Sequence, residues 1–138
     1  MKINSKAVLL GILVDIVGSF TLGLLVIMIL LGIYYASKGI PVDEMETYMK
    51  TDIPSIFLTI TVGLYFTFLG GFVAGRVAKS DEVLHASIVG IAGVLLLLFF
   101  WDESTPGVNL IGLTFTIPVA MLGGKLSIKN SAQPPNPL

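Results

Sequence analysis

The chain has 138 residues, of which 54% are hydrophobic and only 12% charged, and its formal net charge is −1 at pH 7. Soluble domains carry about 25% charged residues, so this composition excludes an ordinary soluble domain and predicts an integral membrane protein. The small net charge provides no basic surface for nucleic acid, the absence of cysteine excludes disulfides and thiolate sites, and a single histidine (His85) is too few for the common zinc sites.

The first predicted element is a membrane helix over residues 7–36, an apolar run interrupted by Asp15 and a few small or hydroxyl residues. A signal peptide has an apolar region of only about 7–15 residues, so we predict an uncleaved helix. At 1.5 Å per residue it would be about 45 Å long, against a hydrocarbon core of about 30 Å. Small or polar residues recur along it at every fourth position: Ala7, Gly11, Asp15, Ser19 and Gly23.

Residues 37–53 form the longest polar connection. Gly39 and Pro41 predict the end of the first helix, and Pro41 suits the first turn of a new one, where the acidic residues that follow are favoured by the helix dipole. The apolar residues that would share one face are Val42, Met45, Met49 and Ile53. We expect either a short amphipathic helix at the membrane surface or a plain acidic loop.

Three further membrane helices are predicted after this connection, and they cover residues 54–78, 84–101 and 109–126. Trp101 would be an interfacial aromatic residue at the end of one, and Pro118 is expected to kink another. The polar, proline-rich residues 129–138 predict a disordered cytoplasmic tail. One four-helix transmembrane domain would therefore occupy residues 1–128.

Stripes of small residues indicate how these helices pack. They comprise Ser55, Thr59, Gly63, Thr67, Gly71 and Gly75 on the second membrane helix, Gly90 on the third, and Gly112, Thr116, Ala120 and Gly124 on the fourth. Residues four apart lie above one another on a helix, and small stripes let membrane helices approach closely. We therefore predict an all-α polytopic membrane protein, a compact four-helix bundle with small-residue seams. The GxxxG pattern at Gly71 and Gly75 would serve either a homodimer or packing within the chain.

The basic residues predict the orientation. Six of the eight lie on one side of the four predicted spans: Lys2, Lys6, Arg76, Lys79, Lys125 and Lys129. The positive-inside rule assigns that side to the cytoplasm. We therefore expect a multi-pass inner-membrane protein, surrounded by the lipid bilayer, with both termini cytoplasmic.

Residues 70–91 combine a glycine pair, a small-small-basic helix end, a short turn, a Leu-His pair and a further glycine. The residues concerned are Gly70, Gly71, Ala74, Gly75, Arg76, Leu84, His85 and Gly90. This segment resembles small, uncharacterised bacterial four-helix integral membrane proteins. The resemblance implies the four-helix membrane class and carries no activity with it.

Asp15, Arg76 and His85 are the polar side chains that we expect to converge at the cytoplasmic end. An aspartate in mid-bilayer costs about 2.5–3.5 kcal/mol on insertion scales, so Asp15 is either a proton- or cation-coupled site or a structural partner of a base near the headgroups. Arg76 either reaches towards Asp15 or anchors to lipid phosphates. His85 either titrates within this cluster or is an interfacial polar residue.

The threonines of the second and fourth membrane helices have two interpretations as well. They either line a polar path or donate their hydroxyls back to carbonyls of their own helix. They are Thr59, Thr61, Thr67, Thr114 and Thr116.

No sequence motif predicts an enzyme, because a catalytic dyad with recognisable spacing, a phosphate loop and a nucleophile elbow are all absent from the sequence. No cofactor or metal site is predicted either. We expect a scaffold or partner subunit that assembles through small-residue helix faces, as a homo-oligomer or with another membrane protein. The alternative is a small oligomeric transporter or channel with Asp15 as its proton- or cation-coupled site.

Overall fold

The structure, a computed structural model, describes residues 3–101 and 105–131, of which 128–131 are described as backbone only. Within these residues the fold is all-α, with five helices and no strand. The helices are α1 (Ser5–Lys38), α2 (Met45–Thr51), α3 (Ile53–Ala78), α4 (Glu82–Phe99) and α5 (Pro106–Ser131). All but α2 are long and apolar enough to cross a membrane.

The ends of the helices follow local chemistry. The Asn4 side chain accepts the Ala7 N–H at 3.3 Å and caps α1. Gly39 ends α1 in the left-handed conformation, with a φ of 63°, which glycine adopts without steric cost. Asp52 caps α3 by accepting the Ser55 N–H at 3.1 Å. Both ends of α1 and the start of α3 are therefore set by local sequence.

The connections differ in part from the prediction. The short helix is present as α2 but begins at Met45, because the Glu44 N–H bonds to the Pro41 carbonyl at 3.1 Å and forms a turn first. Helix α5 continues to Ser131, so residues 129–131 of the predicted disordered tail are helical. The remainder of that tail, residues 132–138, lies outside the described residues.

Helix α3 is the centre of the fold, since it contacts α1, α2, α4 and α5. The ends of the long helices near Ser5, Ala78, Glu82 and Ser127 lie together, and we call this the His85 end. The opposite end, near Lys38, Ile53, Phe99 and Pro106, is called the Tyr34 end. In each of the pairs α1–α3 and α4–α5, one helix runs from the His85 end to the Tyr34 end and the other runs back. Both pairs are therefore antiparallel.

The helices approach most closely in the half near the His85 end. A Cβ on Gly11 would lie 2.6 Å from the Gly70 carbonyl oxygen, and one on Gly71 would overlap the carbonyl oxygen of Ala120. A Cβ on Gly124 would lie 2.5 Å from the Cβ of Ala86. Glycine is required at these positions because backbone atoms of a facing helix, or in the case of Gly124 the Cβ of Ala86, fill the space that a side chain would occupy.

Other glycines show where the packing opens. Gly23 and Gly63, which the sequence predicts to pack against another helix, do not, because a Cβ on either would meet nothing within 4 Å. Gly112 meets only the side chain of Leu97. The buried residues of α4 all lie in its first half, from His85 to Gly90. The four long helices are thus closely packed near the His85 end and separated further along.

Helices α1 and α3 meet again at the Tyr34 end through a polar cluster. The Tyr34 hydroxyl donates to Asp52 Oδ2 at 2.5 Å and lies 2.6 Å from the Ser55 hydroxyl. Lys38 Nζ lies 4.8 Å from the centre of the Tyr34 ring and 3.9 Å from Asp52 Oδ1. Between Asp15 and Tyr34, α1 has no buried residue. Helix α1 is therefore hydrogen-bonded to other helices near both of its ends and at Asp15, whereas its middle is only half-buried and packs on α3 at Gly18, where a Cβ would overlap the Phe66 ring.

Candidate functional site

Asp15 lies on α1 among apolar helices, and it is only 8% exposed. Ser19, one turn further along α1, donates its hydroxyl to Asp15 Oδ1 at 3.4 Å. Thr67 on α3 donates to the same carboxylate, at 3.2 Å from Oδ1 and 3.4 Å from Oδ2. Two hydroxyl groups from two helices therefore orient the carboxylate.

Two glycines make room for this side chain. A Cβ on Gly70 of α3 would lie 3.0 Å from the Cβ of Asp15, and one on Gly93 of α4 would lie 3.6 Å from Asp15 Oδ2. The carboxylate thus occupies space that ordinary side chains on α3 and α4 would narrow. Gly93 is not among the site residues predicted from the sequence. The only indication of it in the sequence is that it is a second glycine, three positions after Gly90.

No basic side chain among the described residues forms an ion pair with Asp15. The ion pairs in that part of the chain join Lys38 to Asp52 and Lys50 to Glu46. A carboxylate has about four lone-pair positions for hydrogen bonds, and the hydroxyls of Ser19 and Thr67 do not neutralise its charge. Within the described residues, the Asp15 carboxylate therefore has two hydroxyl donors and no cationic partner.

A cavity of about 360 Å³ begins at Asp15 and extends between the four long helices towards the Tyr34 end. Its volume lies in the range of about 300–1,000 Å³ that is typical of small-molecule sites. Its walls are mainly apolar, and their large side chains are Phe20, Ile60, Leu64, Leu96, Leu97 and Phe100. Phe20 is 66% exposed and Phe100 is 63% exposed, so the cavity is open near these residues. Gly63 also lines it, which explains the open space beside that glycine.

The threonine hydroxyls contribute little to this cavity. Four of the five donate to carbonyls four residues earlier on their own helices: Thr59, Thr61, Thr114 and Thr116. Only Thr67 donates to another helix. The cavity therefore has one polar region, around Asp15, rather than a polar path along its length.

His85 is fully buried at the His85 end, where it holds the start of α1. Its Nε2 accepts the backbone N–H of Asn4 at 2.8 Å, and its Nδ1 lies 2.9 Å from the carbonyl oxygen of Asp81. This pair of contacts requires the proton on Nδ1, because a carbonyl only accepts. Both ring nitrogens of His85 are thus engaged in contacts with the backbone.

The structure does not bring Asp15, Arg76 and His85 together. Asp15 lies 11 residues after Asn4, the partner of His85, which corresponds to about 16 Å along α1. Arg76 is exposed, and its guanidinium lies 5.9 Å from the centre of the Phe72 ring. The three side chains have separate partners because Asp15 is roughly three turns deeper in the bundle than the other two.

No protein-family model, curated protein or solved structure matches this chain. The resemblance of residues 70–91 to small bacterial membrane proteins therefore stays a prediction.

Proposed function

We propose that the chain is a small membrane transporter or channel, acting as an oligomer, in which Asp15 exchanges protons and cations. The observation that supports this most directly is a buried carboxylate with two hydroxyl donors, no ion-pair partner among the described residues, and one side facing a cavity. An ionisable residue within a membrane span is costly unless it is neutralised or paired, and such residues commonly mark ion pathways. Asp15 would alternate between a protonated form and a cation-bound form.

The proposal places the four long helices across an inner membrane, packed through their small residues, with α2 at the membrane surface. Large apolar side chains on the outside of the bundle support contact with lipid, and the most apolar 18-residue stretch of α1 has no buried residue. Lys6, Arg76, Lys79 and Lys125 lie at the His85 end of the helices. That end would be cytoplasmic, together with both termini, and the cavity would open towards the opposite side.

Infrared spectroscopy tests whether Asp15 exchanges protons with water. The protein is reconstituted in liposomes, and difference spectra are recorded between acidic and alkaline buffers. We expect the C=O band of protonated carboxyls to contain one component that persists in Asp43→Asn, a control acid in the connection, and is lost in Asp15→Asn, while the remaining acids keep their own components. An unchanged band in Asp15→Asn would contradict the proposed exchange.

Proton movement across the bilayer is measured with a pH-sensitive dye trapped in the same liposomes. We expect an imposed pH gradient to decay faster with the wild type than with Asp15→Asn. Equal decay rates, with an exchangeable Asp15 in the infrared experiment, would contradict the transport role.

The second candidate function is a scaffold or partner subunit in the membrane. The observation that favours it is the open space beside two glycines in the second half of α1, since a Cβ on Gly23 or Gly32 would meet nothing within 4 Å. The variants Gly23→Ile and Gly32→Ile, with Gly63→Ile as the control on α3, are compared in pull-downs from detergent extracts. A stoichiometric membrane partner that only the α1 variants lose would support the scaffold. A purified homo-oligomer that moves a solute in liposomes would contradict it.

A further inference from the structure

We propose that the cavity beside Asp15 binds a lipophilic organic monocation, such as an ammonium ion that carries an apolar group, rather than an inorganic ion. The inference rests on the proposed role of Asp15 as an exchange site and adds the chemical class of the ligand.

The charge of the cavity sets the charge of the ligand. Asp15 is the single charged residue among the residues that line it. One carboxylate balances one positive charge, and a second charge on the ligand would remain unpaired in an apolar space, where uncompensated charge is costly. The ligand is therefore a monocation.

The oxygen atoms of the site are too few for a bare inorganic ion. Calcium takes about 6–8 oxygen ligands and magnesium about six. Besides the two carboxylate oxygens, the cavity offers the hydroxyls of Ser19 and Thr67, which donate to Asp15, and that of Thr116, which donates to the Gly112 carbonyl. The hydroxyl of Thr59 also lines the cavity, but Thr59 lies eight residues before Thr67, about 12 Å along α3, and is too far away to bind the same ion. No group of three or more metal-binding side chains occurs in the described part of the chain. An ammonium group needs no such shell of oxygens.

The size and lining of the cavity require an apolar body on the ligand. A volume of about 360 Å³ greatly exceeds that of a single ion. Away from Asp15 the walls are leucine, isoleucine and phenylalanine side chains, against which only apolar groups bind favourably. Thr59 and Phe100 towards the Tyr34 end are exposed, and so is Phe20 near the middle of α1, so a ligand with an apolar body has an open way in.

The test uses displacement of the Asp15 proton by defined cations. Wild-type protein in liposomes is held at the pH where the infrared band of protonated Asp15 is half-maximal, and the probes are added at matched ionic strength. Benzyltrimethylammonium carries a positive charge and an apolar ring, whereas tetramethylammonium carries the charge without the ring. Neopentylbenzene has the same shape as benzyltrimethylammonium but no charge. We expect benzyltrimethylammonium to reduce the band at about tenfold lower concentration than tetramethylammonium, because it also buries its ring. Neopentylbenzene, sodium and calcium should leave the band unchanged.

A cavity-filling variant supplies the structural control. Gly63→Leu places a side chain in the cavity, whereas Gly23→Leu places the same side chain in open space outside it. We expect both variants to keep the pH-dependent Asp15 band and only Gly63→Leu to lose the response to benzyltrimethylammonium.

The outcomes separate this inference from the proposed function. Loss of the band by sodium or calcium alone, equal potency of the charged and uncharged ring compounds, or an undiminished response in Gly63→Leu would each overturn the inference. A wild-type protein with no Asp15 band would instead contradict the proposed function itself.

Discussion

The hydroxyl of Thr67 on α3 donates to the carboxylate of Asp15 on α1, at 3.2 Å from Oδ1. Both side chains are buried, with exposures of 6% for Thr67 and 8% for Asp15. The bond joins the two antiparallel helices at the point where their close packing ends and the cavity begins. It is therefore both part of the fold and part of the candidate site.

Replacing Thr67 by valine removes this donor while keeping the shape of the side chain. We expect the free energy of unfolding to fall by about 1–3 kcal/mol, because a buried acceptor loses a partner. Thr61→Val is the matched control, since Thr61 lies exposed on the same helix and donates to its own Phe57 carbonyl. Denaturation of the two variants in mixed micelles, followed by circular dichroism, measures the difference. Equal losses in both variants would refute the role of the Thr67 bond.

Alanine at Gly71 tests the close contact between α3 and α5. Its Cβ would overlap the Ala120 carbonyl oxygen, so we expect a destabilisation of about 1–3 kcal/mol from overpacking. At Gly63, on the same helix, the added methyl meets nothing within 4 Å. Gly63→Ala should therefore be neutral, or stabilising by up to about 1 kcal/mol, through helix propensity. Thermal unfolding in detergent distinguishes the two, and a more stable Gly71→Ala protein would show that α3 and α5 are not in contact there.

His85→Leu tests the anchor at the start of α1. The backbone N–H of Asn4 and the carbonyl of Asp81 would lose their partner on the imidazole ring, which we expect to lower the free energy of unfolding by about 1–3 kcal/mol. Amide hydrogen exchange should become faster at the first turn of α1 and stay unchanged at α2. The control is Arg76→Gln, whose exposed side chain should affect stability by less than about 0.5 kcal/mol. Unchanged exchange at the first turn in His85→Leu would contradict the anchor.

We expect the stability of the Tyr34 end to depend on pH through the carboxyl of Asp52. The hydroxyl of Tyr34, and then that of Ser55, holds the pKa of Asp52 below its ordinary value of 3.8. A group whose pKa is lowered by folding contributes stability above its unfolded pKa, and this stability is lost as the pH falls through the lowered value. We therefore expect the contribution to be complete well above pH 3.8 and to disappear below it.

Tyr34→Phe provides the comparison for this pH effect. It removes the hydroxyl and keeps the ring beneath Lys38, so the pKa of Asp52 should rise towards 3.8. Carbon-13 NMR titration of the Asp52 carboxyl measures this shift, and Tyr35→Phe, whose ring is exposed on the next position of α1, is the control. An identical Asp52 titration in the wild type and Tyr34→Phe would contradict the effect of the hydroxyl.

The four long helices and their approximate bounds follow from the sequence because hydropathy and capping are local properties. Gly39, for example, ends α1 through its own left-handed conformation. The contacts between helices could not be predicted in the same way. Gly63 and Gly71 belong to one stripe, yet only Gly71 lies against another backbone, because periodicity identifies a shared face and does not specify what that face meets.

The site illustrates the same difference. The sequence identifies Asp15, because a carboxylate in an apolar helix is conspicuous at any depth. Its partners depend on the register between α1 and α3, which brings Thr67 rather than Arg76 to its level. That register determines which threonine donates its hydroxyl to another helix. The other four threonines have similar surroundings in the sequence, so the sequence alone does not single out Thr67.

The two fastenings of α1 have a mechanical consequence. Helix α1 is tied to His85 at its start and to Asp52 and Ser55 near its end, and the stretch between Asp15 and Tyr34 has no buried residue. Beyond Gly18, which lies against the Phe66 ring of α3, a rod held near both ends and only half-covered between them changes shape by bowing sideways. Such bowing would widen or narrow the space beside Asp15 while both ends of the rod keep their depth. Under the proposed transport role, entry into that space would therefore require no helix to slide along its axis and no connection at either end of the bundle to unfold.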